Sequence, residues 1–186
     1  MEQKLIILRG APSSGKSTIA KRMRNFEAKM VWLKVDNFKD FFSDDATPAL
    51  EYVHGLAIAS LEYLLNKGFS VVMEGVFQEP DYIKQAVDMA NAKNILCKVF
   101  QLAVPLEQLK KRDKSREGVK EGLRPALAEV VIERLFNIQN QKQYPDSINL
   151  DTHKNNIDQC IEIIKASFDA RFAESRRAEE YLEGLK

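Results

Sequence analysis

Leu5 to Thr18 reads LIILRGAPSSGKST. Leu5–Leu8 is an apolar run of strand length, and a loop of small residues then leads into Lys16, Ser17 and Thr18. Gly10-Ala11-Pro12-Ser13-Ser14-Gly15-Lys16-Ser17 fits the spacing G-x-x-x-x-G-K-[S/T]. In such a loop the backbone N–H groups turn inward and form a nest for an anion. Glycine allows the backbone angles and close approach that a side chain would block. The helix that follows presents free N–H groups and a partial positive charge to the same anion. A lysine at position 16 bridges β- and γ-phosphates, and the hydroxyl of Ser17 is offered to Mg²⁺. The stretch therefore predicts a strand, a phosphate-holding loop and a helix.

The chain has 186 residues, enough for one domain with a substantial core. Apolar content of 45% and charged content of 30% fit a globular protein. A net charge of +1 gives no overall field that draws in nucleic acid, although a local basic groove stays open. No apolar run approaches the roughly 20 residues that span a bilayer, so no membrane association is expected. Met1–Lys4 leads straight into the first strand without a signal-peptide pattern, which makes a reducing cytoplasm the expected location. Cys97 and Cys160 stand far apart in apolar surroundings and are read as buried small hydrophobes.

Four further strand-like runs follow at Met30–Val35, Phe69–Met73, Ile95–Leu102 and Ser147–Leu150. Between the runs, Lys16–Phe26, Pro48–Asn66, Pro80–Ala92, Leu106–Lys114 and Pro125–Gln141 carry apolar residues at helical spacing. Asn155 to about Phe172 reads as a last helix. Strands alternating with helices predict an α/β fold, a parallel sheet with helices on both faces. One domain is expected over residues 1–170, and the charged segment 171–186 as a helical extension or tail. Whether that segment serves self-association is open, so monomer and homodimer both stand. Lys110–Arg124, KKRDKSREGVKEGLR, is polar and basic with few apolar anchors. It is either a solvated helix end or a mobile lid, which must be weakly anchored to move.

The phosphate loop, with a strand before it and a helix after it, resembles the P-loop NTPases. Motors of that superfamily end an apolar strand in Asp-Glu, whereas Val71-Val72-Met73-Glu74-Gly75 holds one acid followed by glycine. GTPases carry Asn-Lys-x-Asp, and Asn91–Asn94, NAKN, lacks the aspartate. The pattern is closer to the P-loop kinases, namely the chloramphenicol phosphotransferase-like, zeta-toxin-like and polynucleotide-kinase-like members. The run Asp151-Thr152-His153-Lys154 before a Cys-containing helix and the Val35-Asp36 pair carry that likeness. The resemblance implies a three-layer sandwich with a five-stranded parallel sheet in the order 2-3-1-4-5. It also implies ATP and Mg²⁺ as cofactors.

By the same resemblance, Asp36 faces the acceptor as general base; the alternative, from its own residues, is a helix N-cap before Asn37–Phe42. Glu74 serves either Mg²⁺, together with Ser17, or the substrate. Arg112 and Arg116, four apart on one helical face, would stack on adenine and grip phosphates, with Arg124 as a third candidate. Gly10 to Thr18, Arg112, Asp151 and Thr152 are the expected nucleotide contacts. The acceptor is expected against Asp36, Phe38, Phe41, Glu74, Phe77 and Arg124, in a pocket closed by Phe77–Tyr82, although aromatics at this spacing also serve as core. His54 and His153 have no companions at metal-ligand spacing, so no zinc site is expected. Three functions stay open: a kinase for a small-molecule hydroxyl, a polynucleotide or nucleoside 5′-hydroxyl kinase, and a non-catalytic ATP-binding regulator.

Overall fold

The computed structural model describes residues 2–42, 49–122 and 125–169. Five strands form one sheet: β1 (Lys4–Arg9), β2 (Met30–Lys34), β3 (Ser70–Gly75), β4 (Leu96–Ala103) and β5 (Ile148–Asp151). Their order is β2-β3-β1-β4-β5, and every neighbouring pair is parallel. Seven α-helices stand among the described residues: α1 (Lys16–Met23), α2 (Leu50–Asn66), α3 (Pro80–Ala92), α4 (Leu106–Lys114), α5 (Glu117–Lys120), α6 (Glu129–Gln141) and α7 (Ile157–Ala166). A 3₁₀ turn, Val35–Phe41, follows β2. None of these helices is long and apolar enough to cross a membrane.

The central strands are apolar on both faces because helices cover both. Leu5, Ile7, Val71 and Met73 point into a core shared with Val53, Ala57 and Leu61 of α2 and Ile83 and Ala86 of α3. Ile6, Leu8 and Val72 point the other way, onto Ile19, Ala20 and Met23 of α1 and Cys160, Ile161 and Ile164 of α7. A smaller cluster of Ala11, Val104, Leu109 and Ile132 seats α4 and α6 beside the loop after β1. The sheet therefore aims the ends of β1, β2 and β3 at one edge, with α1 on one side and α2 on the other.

Three expectations change. The sixth helix starts at Glu129, not Pro125, because the Leu127 N–H is bonded at 2.7 Å to Asp113 Oδ2 and the chain stays extended through Ala128. Asp36 caps nothing: Lys34 occupies the N-cap position of the 3₁₀ turn, and Asp36 lies within its first turn. The last helix starts at Ile157, where Asn156 and Gln159 form a reciprocal capping box. Pro48, Asp44, Asp45, Arg124, Phe172 and the segment 171–186 lie outside the described residues.

Candidate active site

Gly15 takes φ +100°, a left-handed conformation that admits glycine without strain, at the point where the loop turns into α1. Lys16 opens α1 and is 8% exposed. Its Nζ donates to the carbonyls of Gly10 at 2.8 Å and Ala11 at 2.9 Å, and to Ser14 Oγ at 3.5 Å. Burial pushes its pKa down to about 8, opposed by the charges of Glu74 and Asp36 and reinforced by those of Arg116 and Lys34. The charges of four ionisable groups thus act on the ammonium.

Glu74 is 2% exposed. Its neighbour Val72, two residues back on β3, packs on α1, so Glu74 faces the same side of the sheet. Trp32 Nε1 donates to Glu74 Oε1 at 3.2 Å and fixes the carboxylate. The glycine after it has a packing reason: a Cβ on Gly75 would come within 3.0 Å of the Phe77 ring. Phe77 itself is a correction. It was expected against the acceptor, yet its side chain is 1% exposed within the core, and its carbonyl accepts from the buried Arg9 Nε at 3.1 Å. Such a ring has no surface to offer an acceptor.

Asp36 is half-exposed and bonded to Lys39 Nζ at 2.6 Å. Burial works to raise its pKa, but the Lys39 bond and the charges of Lys39, Lys16 and Lys34 outweigh it and hold the carboxylate below its ordinary range. Phe38 packs partly against the core and meets the ring of Phe41 edge-on at 5.5 Å, while Phe41 is 73% exposed. His54, 4% exposed on α2, stacks on Tyr82 at 3.8 Å. Burial lowers its pKa to about 4, so it is neutral at physiological pH.

A cavity of about 700 Å³ opens beside the loop, within the range of small-ligand sites. Ser13, Gly15, Lys16, Ser17 and Thr18 line one wall, and Arg112, Arg116 and Thr152 line another. Gly10, Ala11, Pro12 and Ser14 do not line it; Ala11 and Ser14 face a second cavity, beyond the loop. Arg112 donates to the Thr152 carbonyl at 2.7 Å and to Thr152 Oγ1 at 3.3 Å, and Thr152 Oγ1 donates to the Ser14 carbonyl at 2.8 Å. Helix α4, the loop after β5 and the phosphate loop are therefore tied together. Asp151 does not line the cavity either: its Oδ1 accepts from the backbone N–H groups of His153 and Lys154 at 2.9 and 3.0 Å and shapes that turn.

Several residues of the site carry no motif. Lys34 lines the cavity and acts on both Lys16 and Asp36; its signal was its place two residues before Asp36 at the end of β2. Trp32 shares its face of β2 by the two-residue period. Asn155, Ile157 and Cys160 line the cavity from the start of α7, where the signals are the neighbouring Asp151-Thr152 turn and the cysteine of the helix after it.

The sheet order, the loop ahead of α1 and the acids at the ends of neighbouring strands define a P-loop nucleotide-binding domain with the fold of P-loop kinases. Residues 5–145 match the AAA domain family, AAA_33, and the chain belongs to it. No curated protein matches the chain. Among solved structures, it is similar to a gluconokinase from Sinorhizobium meliloti 1021, at 14% identity and TM-score 0.64, over 95% of this chain and 97% of that one. It is also similar to the Deinococcus radiodurans tunicamycin resistance protein, at 14% identity and TM-score 0.65, over 89% and 95% of the two chains. A chain of the Pnkp1/Rnl/Hen1 RNA repair complex matches at 24% identity and TM-score 0.60 over 76% of this chain. The present chain spans 45% of the length of that component.

One pH dependence follows from Lys16. A bound polyphosphate favours the charged ammonium, whose pKa without ligand is about 8. Binding is then independent of pH below that value and takes up a proton above it. The dissociation constant for Mg-ATP is expected to rise by up to about tenfold per pH unit above about pH 8. Titrations at about pH 7 and about pH 9 check this, and equal affinities at both would contradict the assignment.

Proposed function

We propose that this chain is an ATP-dependent kinase that transfers the γ-phosphate of ATP to a hydroxyl of a small molecule. The observation that carries the reading is the convergence of Asp36 and Glu74 on Lys16 at the ends of three adjacent strands. A motor or switch needs only to orient water. A kinase needs a group for the acceptor proton beside the phosphate-holding lysine, and Asp36, ionised and half-exposed, suits that role. Arg112 and Arg116 supply positive charge on the far wall, and Lys110–Arg124 acts as the lid that excludes water. Ser17 and Glu74 offer the hard oxygen donors that Mg²⁺ takes, on the same side of the sheet. The metal would neutralise charge on the β- and γ-phosphates. Phe38 and Phe41 give the acceptor side an aromatic edge that favours a planar or apolar acceptor over a sugar phosphate.

A second reading, a polynucleotide or nucleoside 5′-hydroxyl kinase, draws on the likeness to a chain of an RNA repair complex. Weighing against it are the net charge of +1 and the acids that follow Asp36 in the sequence, Asp40, Asp44 and Asp45. The test is transfer of labelled γ-phosphate to a panel of hydroxylated antibiotics, amino sugars, nucleosides and 5′-hydroxyl oligonucleotides. Label in a small molecule at rates indifferent to salt supports the first reading. Transfer to oligonucleotides that weakens steeply with salt establishes the second.

A further inference from the structure

Asp113 lies on α4, next to Arg112, and is 1% exposed. Within the run KKRDKSR Lys111, Lys114 and Ser115 are exposed, and a buried carboxylate there needs partners that come from elsewhere in the chain. It has two, Ser13 Oγ donating to Oδ1 at 3.0 Å and the Leu127 N–H donating to Oδ2 at 2.7 Å, and from its own run Arg116 Nη1 lies 3.5 Å from Oδ1. One carboxylate therefore joins the phosphate loop, α4 with Arg112, the extended residue Arg116 that follows it, and the chain just beyond Lys110–Arg124.

Ser13 explains why such an anchor is needed. It takes φ +68°, a left-handed conformation that glycine adopts freely and serine adopts at a cost. It also lines the cavity beside Lys16. No hydrogen bond within the loop holds its side chain; the bond to Asp113 does. We propose that Asp113 is a positioning residue for nucleotide binding and transfer. It holds Ser13 in the backbone conformation the loop requires and keeps Arg116 beside the same cavity, so that phosphate loop and lid segment are set together. The transfer half of this inference rests on the kinase reading; the loop half does not.

Ser13→Ala keeps the strained backbone and removes the anchor, and it leaves α4 and Leu127 untouched. It is expected to weaken Mg-ATP binding about tenfold, ~1.4 kcal/mol. Asp113→Ala is expected to weaken binding to a similar extent. The double variant Ser13→Gly with Asp113→Ala should recover most of the lost affinity, because glycine needs no anchor at φ +68°. Its kcat should stay low, because the contact between Asp113 and Arg116 is still missing. A purely structural Asp113 would not be rescued by a glycine at position 13.

If Asp113→Ala does not fold, Ser13→Ala against Ser13→Gly decides: alanine must bind more weakly than glycine. Equal affinities for those two variants, or wild-type affinity in Ser13→Ala, would overturn the inference. Recovery of kcat along with affinity in the double variant would overturn its lid half. A wild-type protein that binds Mg-ATP but phosphorylates no hydroxyl refutes the kinase reading, while the affinity comparison still decides the loop. A wild-type protein that binds no Mg-ATP removes the phosphate site and this inference with it.

Discussion

Replacing Lys16 by alanine is expected to abolish transfer of the γ-phosphate, lowering the rate by roughly 10³-fold or more. The ammonium is buried against the loop, held by the Gly10 and Ala11 carbonyls and by Ser14 Oγ. Buried positive charge of this kind is worth far more to a developing transition-state charge than the same charge in water. The fold should survive, because burying the ammonium carries a penalty, visible in its lowered pKa of about 8, that alanine does not incur. The melting temperature without nucleotide is therefore expected to hold or rise slightly while activity disappears. Transfer that persists at the wild-type rate would mean that the loop has been assigned to the wrong chemistry.

Asp36→Asn is expected to lower kcat by roughly 10²–10⁴ and to leave the affinity for Mg-ATP nearly unchanged. The amide keeps the shape of the side chain and an acceptor for Lys39, but it cannot take the proton of an attacking hydroxyl. Charge from Lys39, Lys16 and Lys34 keeps the carboxylate ionised through the neutral range, so the wild-type rate should show no acid limb near pH 7 due to this residue. Single-turnover kinetics at saturating nucleotide measure the effect. An unchanged kcat would reduce Asp36 to the partner of Lys39 and remove the acceptor half of the site.

Much of the fold is legible in the chain because the decisive signals are local. LIILRGAPSSGKST contains its own strand, turn and helix start, and the helices between apolar runs follow from short-range periodicity. The parallel sheet follows from the alternation itself. The rest depends on contacts that no window of sequence contains. The Pro125–Ala128 stretch looks like the start of a helix, yet one hydrogen bond from Leu127 to Asp113 holds it extended. Phe77 opens the segment Phe77–Tyr82 expected to close the acceptor pocket, yet its ring packs over Gly75 into the core. Asp113 looks solvated among lysines and arginines, and only Ser13 and Leu127, far from it in sequence, show why it is buried. In the site, the residue types that bear charge were legible from the chain. Their mutual arrangement, such as Trp32 holding Glu74 and Thr152 holding Arg112, belongs to the tertiary structure.

The central claim is that the γ-phosphate held at Lys16 goes to a hydroxyl and not to water. The measurement that tests it most directly follows the label of γ-labelled ATP in wild-type protein, with and without the acceptor panel, and separates inorganic phosphate from phosphomonoester. The expected result is slow release of inorganic phosphate without an acceptor, and label recovered as a phosphomonoester when the right hydroxyl is supplied, both lost in Lys16→Ala. Rapid hydrolysis to inorganic phosphate that no acceptor diverts would contradict the claim and make the protein an ATPase.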